Sequence, residues 1–427
     1  MRSPWFLFLA LLAAAIPCCG QAPQTLTLQQ AEQIAIQNHP QIQAASQLAS
    51  AASAQVTEVR SSYYPHAYGS VTGVESEHDS RVAAGALNNP VIYDRFADGV
   101  AVNQLVTDFG RTHELVKSSN LHAKAQQEMV TATRADVLLR LNQAYFAVLK
   151  TQAVLQVAEQ TVKSRQLVAD QTSALQKSNL KSGLDVSFAN VDLAQAQLFL
   201  IQAQNDVQSS FADLSAALGY SDQRTFVLAD QAPQPAPPAD FTPLMQEALR
   251  NRPELIGQDF NVKSAQSYAT AERDLWLPTI SAVGVAGLIP FRQDTLASRY
   301  AAAGFNVNVP IFEGRLFTAR KNEATARAKA QEQYFRDLQN RIARDVRTAW
   351  LNANSAFQRL SVTQQLLNQA TQAFDLAQSR YSLGLSSIVE LSQAQLNKTQ
   401  AEITKVSAQY EYEGQIAFLN YQLGRMQ

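Results

Sequence analysis

Residues 300–315 of this 427-residue chain read YAAAGFNVNVPIFEGR and contain the clearest strand pattern in the sequence. Apolar and polar side chains alternate in it: one parity holds Ala301, Ala303, Phe305, Val307, Val309 and Ile311, and the other holds Gly304, Asn306 and Asn308. Alternation of this kind predicts a β-strand with one apolar and one polar face. About ten such residues are typical of a strand in a membrane barrel, which has lipid outside and water inside.

Three further stretches, residues 64–74, 97–106 and 279–288, are rich in Gly, Ala, Ser and Val, and we predict that they are strands too. Longer polar or Pro-containing stretches at 76–96 and 290–299 separate the strands of each pair, as external loops do. Aromatic residues gather at the strand ends. They fit either the interfacial girdles of a membrane barrel or the ordinary aromatic residues of a sheet end: Tyr63, Tyr64, Tyr68, Tyr93, Phe96, Trp276, Phe291 and Tyr300.

Helical periodicity begins after Gly110 and again after Gly314, and it continues to about Ser178 and Tyr381. At 1.5 Å per residue, about 67 residues make a helix roughly 100 Å long, which is wider than a compact domain. Small or apolar residues of the second helix follow one another at spacings of three and four, which predicts a coiled-coil seam: Val346, Ala349, Ala353, Ala356, Leu360, Thr363, Leu367, Ala370, Phe374, Ala377 and Tyr381. A Gly-containing turn then reverses each half into a last helix, at 185–218 and 388–423.

The chain contains the same arrangement twice. Short motifs recur in the same order at offsets between 201 and 213 residues, among them Asn38-x-Pro40 with Asn251-x-Pro253, and Lys181-Ser182-Gly183-Leu184 with Ser382-Leu383-Gly384-Leu385. A Pro-rich connector at 230–242 separates a first repeat at 23–229 from a second at 243–427. Each repeat opens with a helix, and we predict a Thr27–Gln30 capping box for the first and a Thr242 cap followed by Pro243 for the second.

The first 22 residues predict a secretory signal peptide, because Arg2 precedes an apolar run that is too short to span a membrane as a helix. Both cysteines, Cys18 and Cys19, lie in this segment, so we expect no disulfide framework and no thiolate metal site in the mature chain. The formal net charge of −1 lacks the basic excess of a nucleic-acid-binding protein.

Together these motifs resemble the TolC family of outer-membrane efflux proteins over essentially the whole mature chain. The resemblance rests on Leu26-Thr27-Leu28-Gln29-Gln30-Ala31, the Asn-x-Pro and Arg-Pro-Glu-Leu motifs, Val309-Pro310-Ile311-Phe312-Glu313-Gly314-Arg315, and Arg380-Tyr381-Ser382-Leu383-Gly384-Leu385. It implies a mainly α-helical, internally duplicated chain. Three chains would form a periplasmic α-barrel of long coiled-coil helices and a 12-stranded β-barrel with four strands from each. Four strands alone are also too few to close a barrel, since bacterial examples start at about 8.

The resemblance implies a passive duct in the outer membrane with a long periplasmic extension. It would serve a tripartite efflux or type I secretion system, together with a periplasmic adaptor and an inner-membrane pump of the RND, ABC or MFS type. The alternative is an exported coiled-coil scaffold or adaptor without a membrane barrel. That alternative explains the helices but not the duplicated strand pairs.

The two helical reversals, around Gly183-Leu184 and Gly384-Leu385, are the predicted adaptor-docking tip. Gly would supply a positive φ, and the adjacent Leu would be an exposed apolar contact. A plain helix-hairpin turn explains the same residues equally well.

The resemblance also implies a gate at the periplasmic end. The family's two acidic positions after the second reversal are Glu390 and Gln393 here, so only one of them is acidic, and threefold symmetry would gather three Glu390 carboxylates. Ser387-x-x-Glu390 also matches a capping box, which is a competing structural explanation. The tyrosine before the glycine turn is Tyr381, and the resemblance implies Asn190 or Asp192 as its partner on the neighbouring hairpin.

The sequence contains no motif for a zinc protease, a phosphate-binding loop or a serine hydrolase, so we predict neither an enzyme nor a cofactor. Glu75, Glu77, His78 and Asp79 are the one cluster with metal-ligand chemistry. A solvated acidic loop tip explains them better than a metal site does.

Overall fold

The computed structural model describes residues 25–77, 94–232, 234–292 and 296–426. The predicted signal peptide and most of the predicted loop at 76–96 lie outside these residues, and so do His78, Asp79 and Tyr93. Where the chain is described, no helix is long and apolar enough to cross a membrane.

The described chain is mostly helical, with a four-stranded sheet formed by strands from both halves. The elements in chain order are β1 (Thr25–Leu26), α1 (Leu28–Asn38), α2 (Pro40–Arg60), β2 (His66–Val74), β3 (Arg95–Thr107), α3 (Arg111–Lys177), α4 (Gly183–Ala217), β4 (Val227–Leu228), α5 (Thr242–Asn251), α6 (Pro253–Arg273), β5 (Thr279–Arg292), β6 (Arg299–Asn308), α7 (Leu316–Ser382) and α8 (Ile388–Gln422). Each half has two shorter helices, two long strands, one very long helix and one last helix, and the first half also contains the two-residue strands β1 and β4.

The long helices confirm the length that their periodicity predicted, since α3 and α7 each have 67 residues. Nine of the eleven predicted seam residues of α7 are buried, and Leu360 and Leu367 are half-buried. The small seam residues allow close approach of α8 along α7 and of α4 along α3, and each pair forms an antiparallel coiled-coil hairpin.

The N-cap prediction is confirmed for α1 and wrong for α5. Thr27 Oγ1 accepts from the Gln30 backbone N–H at 3.3 Å, and the Gln30 side chain accepts from the Thr27 N–H at 3.0 Å, so the predicted capping box is present. In the second half the N-cap is Phe241 and not Thr242, which is already the first helical residue. Asp240 Oδ1 accepts the Thr242 N–H at 3.0 Å, so a side chain that precedes the helix satisfies this first backbone donor.

The four long strands form one antiparallel sheet in the order β2-β3-β5-β6. All four predicted strands are present with shifted ends. β6 ends at Asn308, so Val309 and Ile311 lie beyond the strand in which we placed them. Pro310 explains this end because it cannot donate to a strand ladder and it restricts the residue before it. A second, two-stranded sheet pairs β1 with β4 in parallel.

The strand register separates the side chains of the sheet into two chemically different faces. Residues paired across neighbouring strands point to the same side. The more polar face carries His66, Tyr68, Ser70, Thr72, Asn103, Ser281, Tyr300, Asn306 and Asn308, together with Leu105, Val283 and Val285. The opposite, more apolar face carries Ala67, Val71, Val100, Val102, Ile280, Ala282, Ala286, Leu288, Ala303, Phe305 and Val307, together with Asp98, Gln104 and Arg299. Tyr68 and Tyr300 therefore lie on the same face as Asn306 and Asn308 and on the opposite face from Phe305 and Val307.

Candidate functional site

The tips of the two helical hairpins, α3–α4 and α7–α8, hold the predicted docking and gating residues. Both turns have the same backbone geometry. The Leu180 N–H donates to the Leu175 carbonyl at 2.9 Å, and the Leu385 N–H donates to the Arg380 carbonyl at 2.8 Å, in each case across five residues. Bonds of this span close a helix C-terminus when the residue before the donor is left-handed.

The left-handed residue is Gly384 in the second turn, with φ +75°, but Asn179 in the first, with φ +58°. The prediction that Gly183 supplies this conformation is wrong, because Gly183 is the first residue of α4. Asparagine reaches the left-handed region more easily than other non-glycine residues, which explains why the first turn needs no glycine. The long helices are offset by 205 residues, from Lys177 to Ser382, so Gly384 corresponds to Asn179.

The same offset pairs Leu180 with Leu385, and both are strongly exposed, at 70% and 66%. Leu184 is also exposed as predicted, but it corresponds to Val389 and not to Leu385. The sequence motifs, aligned at an offset of 201 residues, pair Leu184 with Leu385 and therefore do not identify Leu180. The 205-residue offset between the helix ends pairs Leu180 with Leu385.

Glu390 and Gln393 lie one turn apart near the start of α8, and both are exposed. Ser387 Oγ accepts the Glu390 N–H at 3.3 Å, which is one half of the predicted capping box. The other half is not formed. The Glu390 carboxylate lies instead 3.5 Å from Nε of Arg380 at the end of α7, and the Gln393 side chain donates to Asn397 Oδ1 at 3.0 Å.

Tyr381 is buried in a cluster that joins the two hairpins, with Val168, Ala169 and Ala189 on one side and Phe374, Ala377, Ile388 and Leu391 on the other. Its hydroxyl lies 3.2 Å from Thr172 Oγ1 on α3, and the ammonium of Lys181 lies 4.1 Å from its ring centroid. Within the chain, the predicted link from Tyr381 to Asn190 or Asp192 is therefore wrong. Asn190 is exposed on α4, and Asp192 has other partners.

Asp192 binds Arg165, a buried arginine of α3 that the sequence reasoning missed. Arg165 Nη1 donates to Asp192 Oδ2 at 2.7 Å, and Nη2 donates to the Ser392 carbonyl at 3.4 Å. The Ser392 hydroxyl donates to the same Asp192 oxygen. Burial lowers the pKa of the Arg165 guanidinium, and the Asp192 carboxylate opposes this shift.

We call this group, Arg165 with Asp192 and Ser392, the hairpin clasp, because it connects α3, α4 and α8. A second polar contact lies beside it, where the Gln395 side chain donates to Ser164 Oγ at 2.7 Å. A buried arginine needs a carboxylate partner. The position of Arg165 in a seam of small residues was therefore the sequence signal that could have revealed this ion pair.

The described residues contain no group of three or more His, Cys, Asp or Glu side chains that could hold a metal ion. Glu75 and Glu77 of the predicted acidic loop are described, but the other two members of that cluster are not.

The outer membrane efflux protein family model matches residues 32–220 and 244–425, which is most of the chain. The chain belongs to this family. It is 24% identical to the cobalt-zinc-cadmium resistance protein CzcC of Cupriavidus metallidurans, over 69% of each chain. It is also 24% identical to the toluene efflux pump outer membrane protein TtgC of Pseudomonas putida, over 88% of this chain and 78% of that one. The crystal structure of CusC, a transmembrane channel, superimposes with a TM-score of 0.80 at 18% identity and covers 94% of this chain and 93% of that one.

Membership establishes the chain as an outer-membrane efflux channel protein, and the fold agrees. The protein is therefore located in the outer membrane with a long periplasmic extension. The alternative of a coiled-coil scaffold without a membrane barrel has no support.

Proposed function

We propose that three copies of this chain assemble into one passive duct. The observation that carries this proposal is the sheet: β2 and β6 each pair with only one strand among the described residues. Two open edges within a lipid bilayer would leave backbone groups without partners, at a cost of several kcal/mol each. Pairing β6 of one copy with β2 of the next removes these edges. Three copies give a 12-stranded barrel with room for a lumen, whereas two would give eight strands and a filled interior.

The two faces of the sheet support the same assembly. The polar face, which includes Asn103, Asn306 and Asn308, lines the lumen, and the apolar face, which includes Val100, Phe305 and Val307, contacts lipid.

The duct carries substrates that an inner-membrane pump and a periplasmic adaptor deliver. The exposed leucines at the hairpin tips are the adaptor-docking surface, and Glu390 contributes a ring of carboxylates to the periplasmic entrance.

CzcC is named for metal-ion resistance and TtgC for toluene efflux, so chains of this family serve pumps of unlike cargo. The cargo of this chain therefore follows from its pump, of RND, ABC or MFS type. The duct itself performs no catalysis and uses no cofactor.

Outer-membrane fractionation followed by electrophoresis without boiling tests the assembly. We expect a trimer band that boiling converts to monomer, and a conducting channel when the purified trimer enters a planar bilayer. A monomer in the soluble periplasmic fraction would contradict the proposal.

A further inference from the structure

One row of residues across the polar face of the sheet contains a single large side chain. The register aligns Ser70 of β2, Gly99 of β3, Gly287 of β5 and Tyr300 of β6 as direct neighbours. In β3, β5 and β6 the row lies nearer to the strand ends at Arg95, Arg292 and Arg299 than to the ends that join the helices, so it lies toward the external end of the proposed barrel. Side chains of this face point into the lumen if the duct assembles as proposed.

The Tyr300 side chain lies flat across the two glycines instead of standing away from the sheet. A Cβ added at Gly99 would fall inside contact distance of the Tyr300 hydroxyl, 3.0 Å from its Cζ and 2.9 Å from the Ala286 carbonyl. A Cβ at Gly287 would overlap the same two tyrosine atoms and the Asp98 carbonyl. The hydroxyl reaches over β5 to the Asp98 carbonyl on β3, at 3.5 Å. The pair of glycines therefore forms a recess that holds the tyrosine against the wall.

Other glycines of the sheet have no such role. Gly304 is on the same face, two rows away, and a Cβ added there would meet nothing within 4 Å. Gly284 is on the opposite face and is equally open. Glycine is unfavourable in strand interiors unless something approaches the backbone closely. At Gly99 and Gly287 the approaching groups are the Tyr300 ring and a neighbouring backbone carbonyl, from Ala286 and Asp98 respectively.

We propose that Tyr300, held flat by the Gly99–Gly287 recess, sets the width of the external mouth of the duct and so the size of solute that can leave it. This inference rests on the channel function proposed above. In a trimer the row recurs three times, so three tyrosines would surround one opening. Folded into their recesses they leave it wide, whereas any side chain at position 99 would force the ring into the lumen.

Single-channel recordings in planar bilayers test this with Gly99→Ala, Tyr300→Ala, the double variant and Gly304→Ala as the matched control. Because pore diameter limits permeation, we expect Gly99→Ala to reduce conductance by roughly twofold. The double variant should return to the level of Tyr300→Ala, and Gly304→Ala should conduct as the unmodified chain does. Wild-type conductance in Gly99→Ala, or a reduction that persists in the double variant, would overturn the proposal.

Assembly is checked first by the heat-sensitive trimer band. An added Cβ at Gly99 also falls 2.9 Å from the Ala286 carbonyl, so Gly99→Ala that fails to assemble even with Tyr300→Ala is explained by this backbone contact. In that case Tyr300→Ala alone decides: it must raise the conductance, and an unchanged conductance would overturn the proposal.

A separate experiment tests whether the Tyr300 side chain points into the lumen. The only cysteines of the chain are Cys18 and Cys19, which lie in the predicted signal peptide. Once that segment is removed, a thiol reagent can react only with a cysteine introduced by substitution. A charged thiol reagent should block Tyr300→Cys but not Phe305→Cys. An unmodified chain that forms no channel would instead reject the proposed function itself.

Discussion

Arg165 Nη1 lies 2.7 Å from Asp192 Oδ2 in the contact between α3 and α4, and the two side chains are only 8% and 17% exposed. The same Asp192 oxygen accepts from Ser392 of the other hairpin. A charge pair at this depth fixes the geometry of the helices that it joins more than it adds net stability.

We expect Asp192→Ala to loosen the hairpin tip, because it leaves the Arg165 guanidinium buried without its carboxylate, at a cost of about 3 kcal/mol. The measurement is a lower thermal midpoint of the purified trimer together with a higher single-channel conductance. Asp259→Asn is the control, since it removes the exposed pair with Lys263 and should cost less than about 1 kcal/mol. If the two substitutions change the thermal midpoint and the conductance equally, the hairpin clasp contributes no more than an exposed ion pair.

Changing Leu184 and Leu385 together to Asp should abolish transport while the trimer stays intact, because both side chains are exposed and contribute little to folding. Leu180→Asp should by itself weaken transport, since Leu180 is the counterpart of Leu385. Substrate accumulation in cells and the heat-sensitive trimer band are the two measurements. Ser178→Asp, which adds the same charge to the same exposed turn, is the control. Unchanged transport in the leucine variants would refute docking at the tip.

Glu390→Gln should weaken cation selectivity and block by multivalent cations in single-channel recordings. The structure sharpens this prediction, because the carboxylate does not complete the helix cap and lies near Arg380 instead. Arg380→Gln should therefore strengthen cation selectivity, and Gln393→Glu should do the same by adding a second acidic position. If none of the three changes the reversal potential, Glu390 forms no selective ring.

Val307→Arg should impair assembly much more than Asn306→Arg. Val307 pairs with Ile280 on the apolar face, whereas Asn306 pairs with Ser281 on the polar face. An arginine on the lipid face at the membrane midplane costs about 2–4 kcal/mol. The yield of trimer in the outer membrane measures the difference. Similar yields would mean that the two faces are assigned the wrong way round.

Glu413→Gln should stabilise the trimer at neutral pH and have little effect in acid. Glu413 is 7% exposed, and one carboxylate oxygen accepts from the Gln234 N–H while the other has no partner among the described residues. Burial raises the pKa of Glu413, the hydrogen bond from Gln234 opposes the shift, and Asp230 adds to it.

A carboxyl group whose folded pKa is raised is favourable below its unfolded pKa, and its contribution is lost as pH rises through the folded pKa. The thermal midpoint of the unmodified trimer should therefore fall between acid and neutral pH more than that of Glu413→Gln. If the thermal midpoints of the two proteins change with pH in the same way, Glu413 does not titrate in this range.

Local patterns in the sequence predict the kinds of element, their lengths and their order. The 67-residue helices follow from an uninterrupted spacing of three and four, and the Thr27 capping box from residues within one turn. The four strands follow from Gly/Ala-rich or alternating segments between helices. These signals are local, so no knowledge of distant contacts is needed to read them.

The tertiary structure decided which residues meet. Asn179 and Gly183 could each have occupied the left-handed position of the first turn, and only the end of α3 shows that it is Asn179. Asp192 could pair with either Tyr381 or Arg165, and the packing of α3 against α4 selects Arg165. The recess beneath Tyr300 depends on strand register, because a shift by one residue moves every side chain of a strand to the other face. Pairing of β5 with β6 places Tyr300 beside Gly287, and pairing of β3 with β5, which joins the two halves of the chain, adds Gly99.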